Sequence, residues 1–513
     1  MSGFVAGRYA TLATDRTEYL NRARKCALLT IPTLFPPENA TASTTYPSPH
    51  QSIGSRGVNN MSSKLLLTLF PSNSPFFKLP LTRKAMQRLK VDPQFKAEAE
   101  LALSEVEQEA MRSLEGRATR TSLFQAFRQL LTGGNVLLYF PKNAKPRVFN
   151  LNNYACRRDN SGKLLELVVC EVMKHRALPK ELKDLISDKA PAASEGPDKG
   201  VKVAESEHKL YTYIWWTENR YRVYQEIEGL RVPGSDGSYT EDGMRWIPIR
   251  FNSIDGEHYG RGYIEEYFGD LQSLETLTEA MLGSSTIVSK LVWLISPNSS
   301  IRPKEFTAAE NGDALVGNEG DIKSVQAERG ADMQVTMKMM DVIEQRLGFA
   351  FLLNTAVQRN GERVTAEEIR FMARELEDAL GGTYSVLSQD LQLPLAKLTL
   401  ADVDGLGSLP KDLVLPTIIT GMDALGRGND LQKLDLLIGG AVERFGPTAL
   451  QYFDMSDYLT RRATALNLEV GKLIKTGEQV AQEQQQQQTM ALAASATPNL
   501  VNQVGKAMQP EKG

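Results

Sequence analysis

The spacing of apolar residues changes twice along this chain of 513 residues, and these changes constrain the fold more than any motif does. Before residue 135 and after Gly262, apolar side chains recur at intervals of three and four, which is typical of amphipathic helices. From Asn135 to Phe251 they fall in short aliphatic, β-branched and aromatic runs, which is typical of strands. The pattern predicts an α+β, mainly helical fold with an antiparallel β meander at 135–251.

The N-terminal region carries four helical patterns that are separated by proline-rich loops. The predicted helices are Asp15–Leu29, Ser52–Phe70, Pro93–Leu114 and Thr119–Leu131. Within the meander, RDNSG at Arg158–Gly162 and TENR at Thr217–Arg220 predict turns between strands. The stretch Ala190–Glu207, rich in Ala, Pro, Gly and charge, predicts a mobile surface excursion.

Two long helices follow the meander and flank a non-helical module. The first is predicted over Tyr263–Lys290 and the second over Met333–Leu353, because each carries one apolar stripe at helical spacing. Between them, Leu291–Asp332 contains prolines and glycines that interrupt helices.

A short loop and a sharply defined helix start come next. Asn354–Val364 shows no helical pattern, and Thr365 and Glu368 after it form a capping box, in which each side chain hydrogen-bonds the other residue's backbone amide. The helix is predicted over Thr365–Leu393. The remaining chain, 394–513, ends in a Gln- and Ala-rich tail whose composition is typical of a frayed helix or a linker.

The charge balance excludes a protein that coats nucleic acid along its whole surface. The 59 Lys and Arg residues nearly cancel the 62 Asp and Glu residues, which leaves a formal net charge of −3. A chain without a broad basic field can contact a polyanion only locally.

The sequence carries no motif for nucleotide, metal or acyl-transfer chemistry. It lacks GxxxxGK[ST], HExxH and GxSxG, its three cysteines form no CxxC pair, and its four histidines are scattered. The nearest approach to a metal-ligand pair is Cys170 with His175. We therefore expect no cofactor, no metal and no catalytic residues. No apolar run approaches a membrane span, so a soluble chain in a reducing compartment is expected.

Two long stretches carry a specific family resemblance. They are DGEHYGRGYIEEYFGDLQSLETLTEA at Asp255–Ala280 and FLLNTAVQRNGERVTAEEIR at Phe351–Arg370. Shorter matches are KLLLTLFP at Lys64–Pro71, GNVLLYF at Gly134–Phe140 and LSQDLQLPL at Leu387–Leu395. In the same order along the chain, these segments resemble the portal proteins, or head-to-tail connectors, of short-tailed bacteriophages (podoviruses, Autographiviridae-like). The resemblance covers about Asp15–Asp430.

This resemblance implies a portal fold that assembles as a ring of twelve subunits. Its parts would be a wing at 1–262, a two-helix stem at 263–290 and 333–353, a clip at 291–332, a tunnel loop at 354–364, a wing helix at 365–393 and a crown or barrel region at 394–513. Such a protein would not be an enzyme.

The resemblance also implies where the ring acts and what it contacts. The chain would be made in the cytoplasm of the host bacterium and built into the virion at one capsid vertex. There the ring would be the channel for packaging and ejection of double-stranded DNA, without reading its sequence. Its partners would be the terminase, tail adaptor and tail tube proteins, and the major capsid, scaffold and internal core proteins.

The candidate channel residues lie in the tunnel loop: Gln358, Arg359, Asn360, Gly361 and Arg363. Asn-Gly suits a tight turn, and ring symmetry would repeat each flanking arginine around a channel. The alternative is a solvated surface loop in which Arg363 pairs with Glu367 one helical turn later.

Two further sets of candidates lie on the stem and clip. The stem candidates for ring contacts are Leu271, Leu274, Leu277 and Met281, although the same stripe fits a core within one subunit. The clip candidates for partner docking are Trp293, Arg302 and Lys304, and Trp293 fits a buried core equally well.

Two other classes of protein remain open on the sequence. Asp255, Glu257, Glu265 and Glu266 could supply an acid/base pair, although surface helix charge also explains them. The long helices also suit a helical scaffold or a tail-fibre-like protein, although glycines and prolines break the heptads that such a filament needs. A discrete particle of about twelve times 56.9 kDa would separate a portal from both.

Overall fold

The computed structural model describes residues 3–38, 40–41, 43–71, 75–82, 93–187, 206–288, 292–318, 320–325, 330–353, 375–376, 378–403, 416–418, 435–453, 455, 458–459 and 462. The chain divides into two compact units, 1–420 and 421–513. The predicted tunnel loop, the capping box and the Gln-rich tail lie outside the described residues, as does most of the predicted excursion at 190–207.

Helices dominate the first unit. In chain order they are α1 (Phe4–Leu28), α2 (Ile53–Leu69), α3 (Pro93–Gly116), α4 (Thr119–Gly133), α5 (Lys180–Ser187), α6 (Tyr263–Glu266), α7 (Phe268–Val288), α8 (Pro303–Ala308), α9 (Gly330–Ala350), α10 (Gly382–Leu387) and α11 (Leu393–Asp402). In the second unit, residues 435–445 are helical and Pro447–Tyr452 forms a 3₁₀ helix.

The first helix begins at Phe4, eleven residues before the predicted start. Val5, Tyr9 and Leu12 already recur at intervals of four and three in its early turns, so the helical pattern reaches further back than the predicted start. Val5 and Leu12 are buried, because they pack against Val168 and Tyr213 of the β meander. Both the spacing and this packing therefore support the observed start.

The helix that was predicted to end at Leu393 continues through a proline. A π-helical turn, Ser388–Gln392, precedes α11, and the Leu393 amide donates to the Ser388 carbonyl, five residues back. Pro394 lacks an amide hydrogen and would clash with an ordinary α-helical turn. The wider π turn accommodates that missing donor, so the chain stays helical to Asp402.

Thirteen strands are described, and each pairs with its neighbours in antiparallel fashion. They are β1 (Phe77–Lys78), β2 (Asn135–Tyr139), β3 (Arg147–Phe149), β4 (Tyr154–Arg158), β5 (Leu164–Lys174), β6 (Glu207–Thr217), β7 (Arg220–Ile227), β8 (Leu230–Arg231), β9 (Gly237–Tyr239), β10 (Trp246–Arg250), β11 (Val292–Ile295), β12 (Ile322–Val325) and β13 (Thr417–Ile418).

The predicted meander divides into two sheets. Strands β4-β5-β6-β7-β8 follow one another as antiparallel neighbours, with β9 also paired to β7, whereas β10-β2-β3 form a separate sheet. The division falls at Asn150, whose side chain accepts the Asn152 amide and turns the chain into a 3₁₀ helix before β4. Glu218 and Asn219 both have positive φ, which makes the TENR turn a tight β hairpin.

The main core lies between the N-terminal helices, the β10-β2-β3 sheet and the long helices. Leu65 of α2, Phe127 of α4, Val136 of β2, Leu274 of α7 and Leu347 of α9 belong to one continuous buried cluster. Burial of such side chains contributes about 1.5–3 kcal/mol each. The long helices α7 and α9 are therefore packed onto the N-terminal helical layer within one chain.

A buried carboxyl group lies at the edge of this core. Glu107 of α3 is buried, and its Oε1 accepts the backbone N–H of Leu79 at 2.6 Å. Burial raises the pKa of Glu107 from 4.5 to about 7. Because the folded-state pKa lies above the unfolded value, the contribution of this group to stability is full below about pH 4.5 and is lost as pH rises through 7.

We predict that Glu107→Gln removes this pH dependence. The amide oxygen still accepts the Leu79 N–H but cannot ionise, so between pH 4.5 and 8 the variant gains on the parent by up to about 3 kcal/mol in free energy of unfolding. Urea denaturation across that range measures the difference. Glu109→Gln, on an exposed position of the same helix, is the control. Parallel pH curves for the parent and Glu107→Gln would contradict the prediction.

Candidate functional site

The two long helices α7 and α9 pack against each other through a narrow apolar seam. Leu271 and Leu274 of α7 are both 0% exposed, and they share the main core with Ile343 and Leu347 of α9. At the edge of this seam, Arg346 pairs with Asp270 at 3.8 Å. The seam holds the two helices side by side within one chain.

This packing changes the interpretation of the predicted stem stripe. Leu271 and Leu274 are inaccessible in the single chain, so they contribute to its own core and leave no surface for a second copy. Leu277 is half-buried against the main core, and Met281 is also half-buried. Of the four stripe residues, only these two keep surface that a neighbouring subunit could contact.

A second apolar face, which sequence reasoning missed, lies on α9. Val335, Met339, Val342 and Phe349 are exposed, with 49% of Val342 and 69% of Phe349 accessible. At about 100° per residue they lie on one side of the helix, together with the exposed Arg346 and roughly a quarter-turn from the buried seam. The sequence signal was present as the spacing of seven between residues 335, 342 and 349, but the pattern alone does not distinguish a core face from an exposed one.

The predicted clip contains a two-stranded antiparallel sheet of β11 and β12 and the short helix α8. Trp293 of β11 is 43% exposed and packs edge-on against Phe306 at 5.2 Å between ring centroids. Arg302 and Lys304, at the start of α8, are exposed. The three docking candidates are thus accessible, and Trp293 combines a contact with Phe306 with surface that a partner could reach.

The end of α9 is held by side chains from other helices. The Tyr263 hydroxyl donates to the Ala350 carbonyl at 2.8 Å, and Asn60 Nδ2 donates to the carbonyls of Phe351 and Leu352 at 2.9 and 3.0 Å. Lys64 Nζ also donates to the Leu352 carbonyl, at 3.1 Å. These hydrogen bonds fix the position at which α9 ends. The predicted channel residues, 358–363, follow along the chain and lie outside the described residues.

Two of the four carboxylates considered for an acid/base pair form ion pairs with one arginine. Arg261 contacts Glu257 at 3.0 Å and Glu265 at 3.2 Å, while Asp255 and Glu266 are exposed. The hydrogen bond from Arg261 lowers the pKa of Glu257. An acid/base pair needs one carboxyl whose pKa is raised, so this arrangement favours charge pairing at a helix start.

His175, which with Cys170 is the nearest approach to a metal-ligand pair in the sequence, faces another histidine. His175 Nδ1 lies 3.3 Å from His208 Nε2, and His208 Nδ1 lies 3.1 Å from Glu228 Oε1. Within the described residues, no group of three or more His, Cys, Asp or Glu side chains is arranged to hold a metal ion. Among the helices of that part of the chain, none combines the length and hydropathy of a membrane span.

Comparison with known proteins agrees with the resemblance of the two long segments. The model of the family described as bacteriophage head to tail connecting protein matches residues 3–473. The portal protein of Escherichia phage T7 is 40% identical, over 96% of this chain and 94% of that protein. The portal protein of Enterobacteria phage T3 is 40% identical over 92% and 88%, and that of Enterobacteria phage SP6 is 29% identical over 95% and 94%.

A solved structure shows a more distant likeness. The neck of an empty gene transfer agent particle matches with a TM-score of 0.39 and 11% identity, over 82% of this chain and 91% of that chain. This likeness is too distant to carry a structural argument.

The mixed helix-and-sheet fold and the sequence relatives together define a structural protein of the phage head-to-tail junction. The chain belongs to the bacteriophage head to tail connecting protein family, and its function is that of a phage portal.

We predict that Leu274→Ala destabilises the isolated subunit. Loss of a fully buried leucine should lower the free energy of unfolding by about 2–5 kcal/mol, because a cavity forms in the α7–α9 seam. Denaturant titration of dilute protein measures this loss. Leu282→Ala, on an exposed position of the same helix, should change stability by about 0.5 kcal/mol or less. Equal effects of the two substitutions would show that the seam is not a core.

Proposed function

We propose that this chain assembles into a closed ring of twelve subunits at one capsid vertex, through which double-stranded DNA is packaged and ejected. The observation that carries the ring is the exposed apolar face of α9, formed by Val335, Met339, Val342 and Phe349. Soluble proteins cover such faces with a partner. A face that meets a different face of the next copy generates cyclic symmetry, whereas a self-complementary contact stops at a dimer.

The domain assignment follows the order of the elements. The stem comprises 263–290 and 333–353, which include α7 and most of α9. The clip comprises 291–332, and the wing comprises 1–262 with the helix at 365–393. The tunnel loop comprises 354–364, and the crown comprises 394–513. The packing of α9 on the N-terminal layer supports this assignment, because it leaves the α9 apolar face outward and the β11–β12 module beyond the far ends of the helices.

The charge of the chain suits a channel that passes DNA without holding it. Duplex DNA carries one negative charge per about 1.7 Å, so a strongly basic bore would bind many phosphates and stop movement. A subunit with a formal charge of −3 avoids this. Rings of a few arginines, Arg359 and Arg363 with Gln358 and Asn360-Gly361 beside them, provide contacts that replace one another as the DNA advances.

The clip is the docking surface for partners outside the capsid. Trp293, Arg302 and Lys304 are exposed on a small module, and loops and short elements of this kind commonly carry recognition. The terminase would bind there during packaging, and the tail adaptor and tail tube proteins afterwards. The capsid, scaffold and internal core proteins would contact the wing and crown, and the chain would reach the virion after synthesis in the host cytoplasm.

We predict that Val342→Asp prevents ring closure. The introduced carboxylate would have to leave water at each subunit contact, at a cost of several kcal/mol per contact. Sedimentation velocity should show a particle near twelve times 56.9 kDa for the parent and at least tenfold less of it for the variant.

The matched control for this substitution is Val172→Asp. Val172 is 57% exposed but lies on β5 of the meander. Rings should form normally from this control. Normal rings from Val342→Asp itself would remove the α9 face from the interface.

We predict that the double substitution Arg359→Ala with Arg363→Ala leaves ring assembly intact and changes DNA packaging. Removal of two charges per subunit should weaken contacts with phosphates, without regard to sequence. Packaging rate and genome retention in reconstituted procapsids measure the effect. If both match the parent, these arginines do not contact the DNA.

A further inference from the structure

The end of α9 adopts a backbone conformation that a leucine avoids. Leu352 has φ of +52°, and the Leu353 amide donates to the Gly348 carbonyl at 2.8 Å, the bond that closes a helix through a left-handed residue. Glycine usually occupies this position, because it has no Cβ to clash with the carbonyl oxygen. A leucine persists here only if the surroundings fix the turn.

Helix α2 supplies the contacts that fix it. Asn60 and Lys64, one helical turn apart on α2, both donate to the Leu352 carbonyl, and Asn60 also donates to that of Phe351. The ammonium of Lys64 lies at the negative end of the α9 dipole, where a cation is stabilising. Gly57, one turn earlier on α2, lies so close to the Phe351 ring that a Cβ at Gly57 would be 2.4 Å from it. Three successive turns of α2 therefore contact the end of α9.

Lys64 also pairs with Glu375, the first residue that the structure describes after Leu353. Lys64 is only 7% exposed, and its Nζ lies 2.8 Å from Glu375 Oε2. A buried ammonium requires such a partner, since an unpaired charge in the core is costly. One side chain thus joins the end of α9 at Leu352 to Glu375, in the helical residues 375–376.

Helix α2 is itself anchored at both ends. Before its first turn, the backbone amides of His50 and Gln51 donate to the Glu275 carboxylate of α7 at 2.8 and 3.2 Å. At its last residue, the Leu69 carbonyl accepts from the buried side chain of Gln392 in the π turn. The helix therefore spans from one stem helix to the helix that follows the predicted loop.

We infer that Asn60 and Lys64 are positioning residues that hold the exit from α9 and the return at Glu375 at a fixed separation. This inference rests on the proposed function, in which the chain between these two points contacts DNA. Neither residue touches DNA in this account. Both act by fixing the two ends of that chain to α2, which the stem and the π turn hold in place.

The test compares Asn60→Ala, Lys64→Met and their combination with the parent in assembled rings. Methionine keeps the packing volume of lysine and removes its charge and donors. Hydrogen exchange at the amides of residues 351–353 should be at least tenfold faster in the combined variant, with ring formation unchanged. Packaging in reconstituted procapsids should fall several-fold. The control is Lys397→Met on α11, which removes an ion pair with Asp242. It should change neither the exchange rate nor packaging.

Two further variants separate positioning from general stability. Leu352→Gly in the Lys64→Met background should restore slow exchange and part of the packaging, because glycine adopts positive φ without help. Glu375→Gln should leave the exchange at 351–353 slow and still reduce packaging, because it loosens only the return. If Lys64→Met fails to assemble, Asn60→Ala and Glu375→Gln, which keep Lys64, carry the test.

The outcomes distinguish this inference from the proposed function. Unchanged exchange in the combined variant, or faster exchange with normal packaging, overturns the positioning role. The positioning role is also overturned if the double substitution Arg359→Ala with Arg363→Ala impairs packaging while Lys64→Met packages normally. In that case the proposed DNA channel still stands. A parent protein that forms no ring overturns the proposed function itself.

Discussion

The burial of the α7–α9 seam is the interaction on which the rest of this structure depends. Leu271 and Leu274 pack with Ile343 and Leu347, and the same cluster extends into the N-terminal helices. Because one face of α9 is used for this internal contact, the exposed apolar side chains on its neighbouring face remain for another molecule. Because packing within the chain fixes the orientation of α9, its exposed apolar face points in one defined direction.

Buried polar contacts specify how the helical layers meet the sheets. The carboxylate of Asp402, at the end of α11, contacts Arg117 at 2.8 Å and Arg245 at 2.6 Å. Burial opposes ionisation, but the hydrogen bonds from Arg245 and Arg117 hold the pKa of Asp402 below its usual value. Arg16 of α1 likewise donates to backbone carbonyls of the segment that leads into β4. Such contacts are satisfied in only one arrangement of the elements, so they favour a single relative position of helix and sheet.

The sequence predicts elements better than it predicts their neighbours. Periodicity located the long helices and most strands because each pattern is local. The predicted start of α1 was too late, although Val5, Tyr9 and Leu12 already recur at helical spacing and pack against the meander. The predicted helix also ended at Leu393, before Pro394, because the π turn that accommodates this proline leaves no simple signal. The stripe with Leu274 has a related limit: it shows which residues share a face but not which molecule covers that face, and the structure buries Leu274 within its own chain. Asn60 and Lys64 could not be selected, since their partners are backbone carbonyls and the Glu375 carboxylate, about 300 positions away along the chain.

Identical subunits that close into a ring would surround an open axis. Electron microscopy of the purified parent protein, averaged in views along that axis, would show whether such a ring forms. We expect a closed annulus of about twelve subunits, with α9 against the adjacent copy and a central hole wide enough for duplex DNA. A monomer, an open filament, or a multimer with a filled centre would refute the proposed ring.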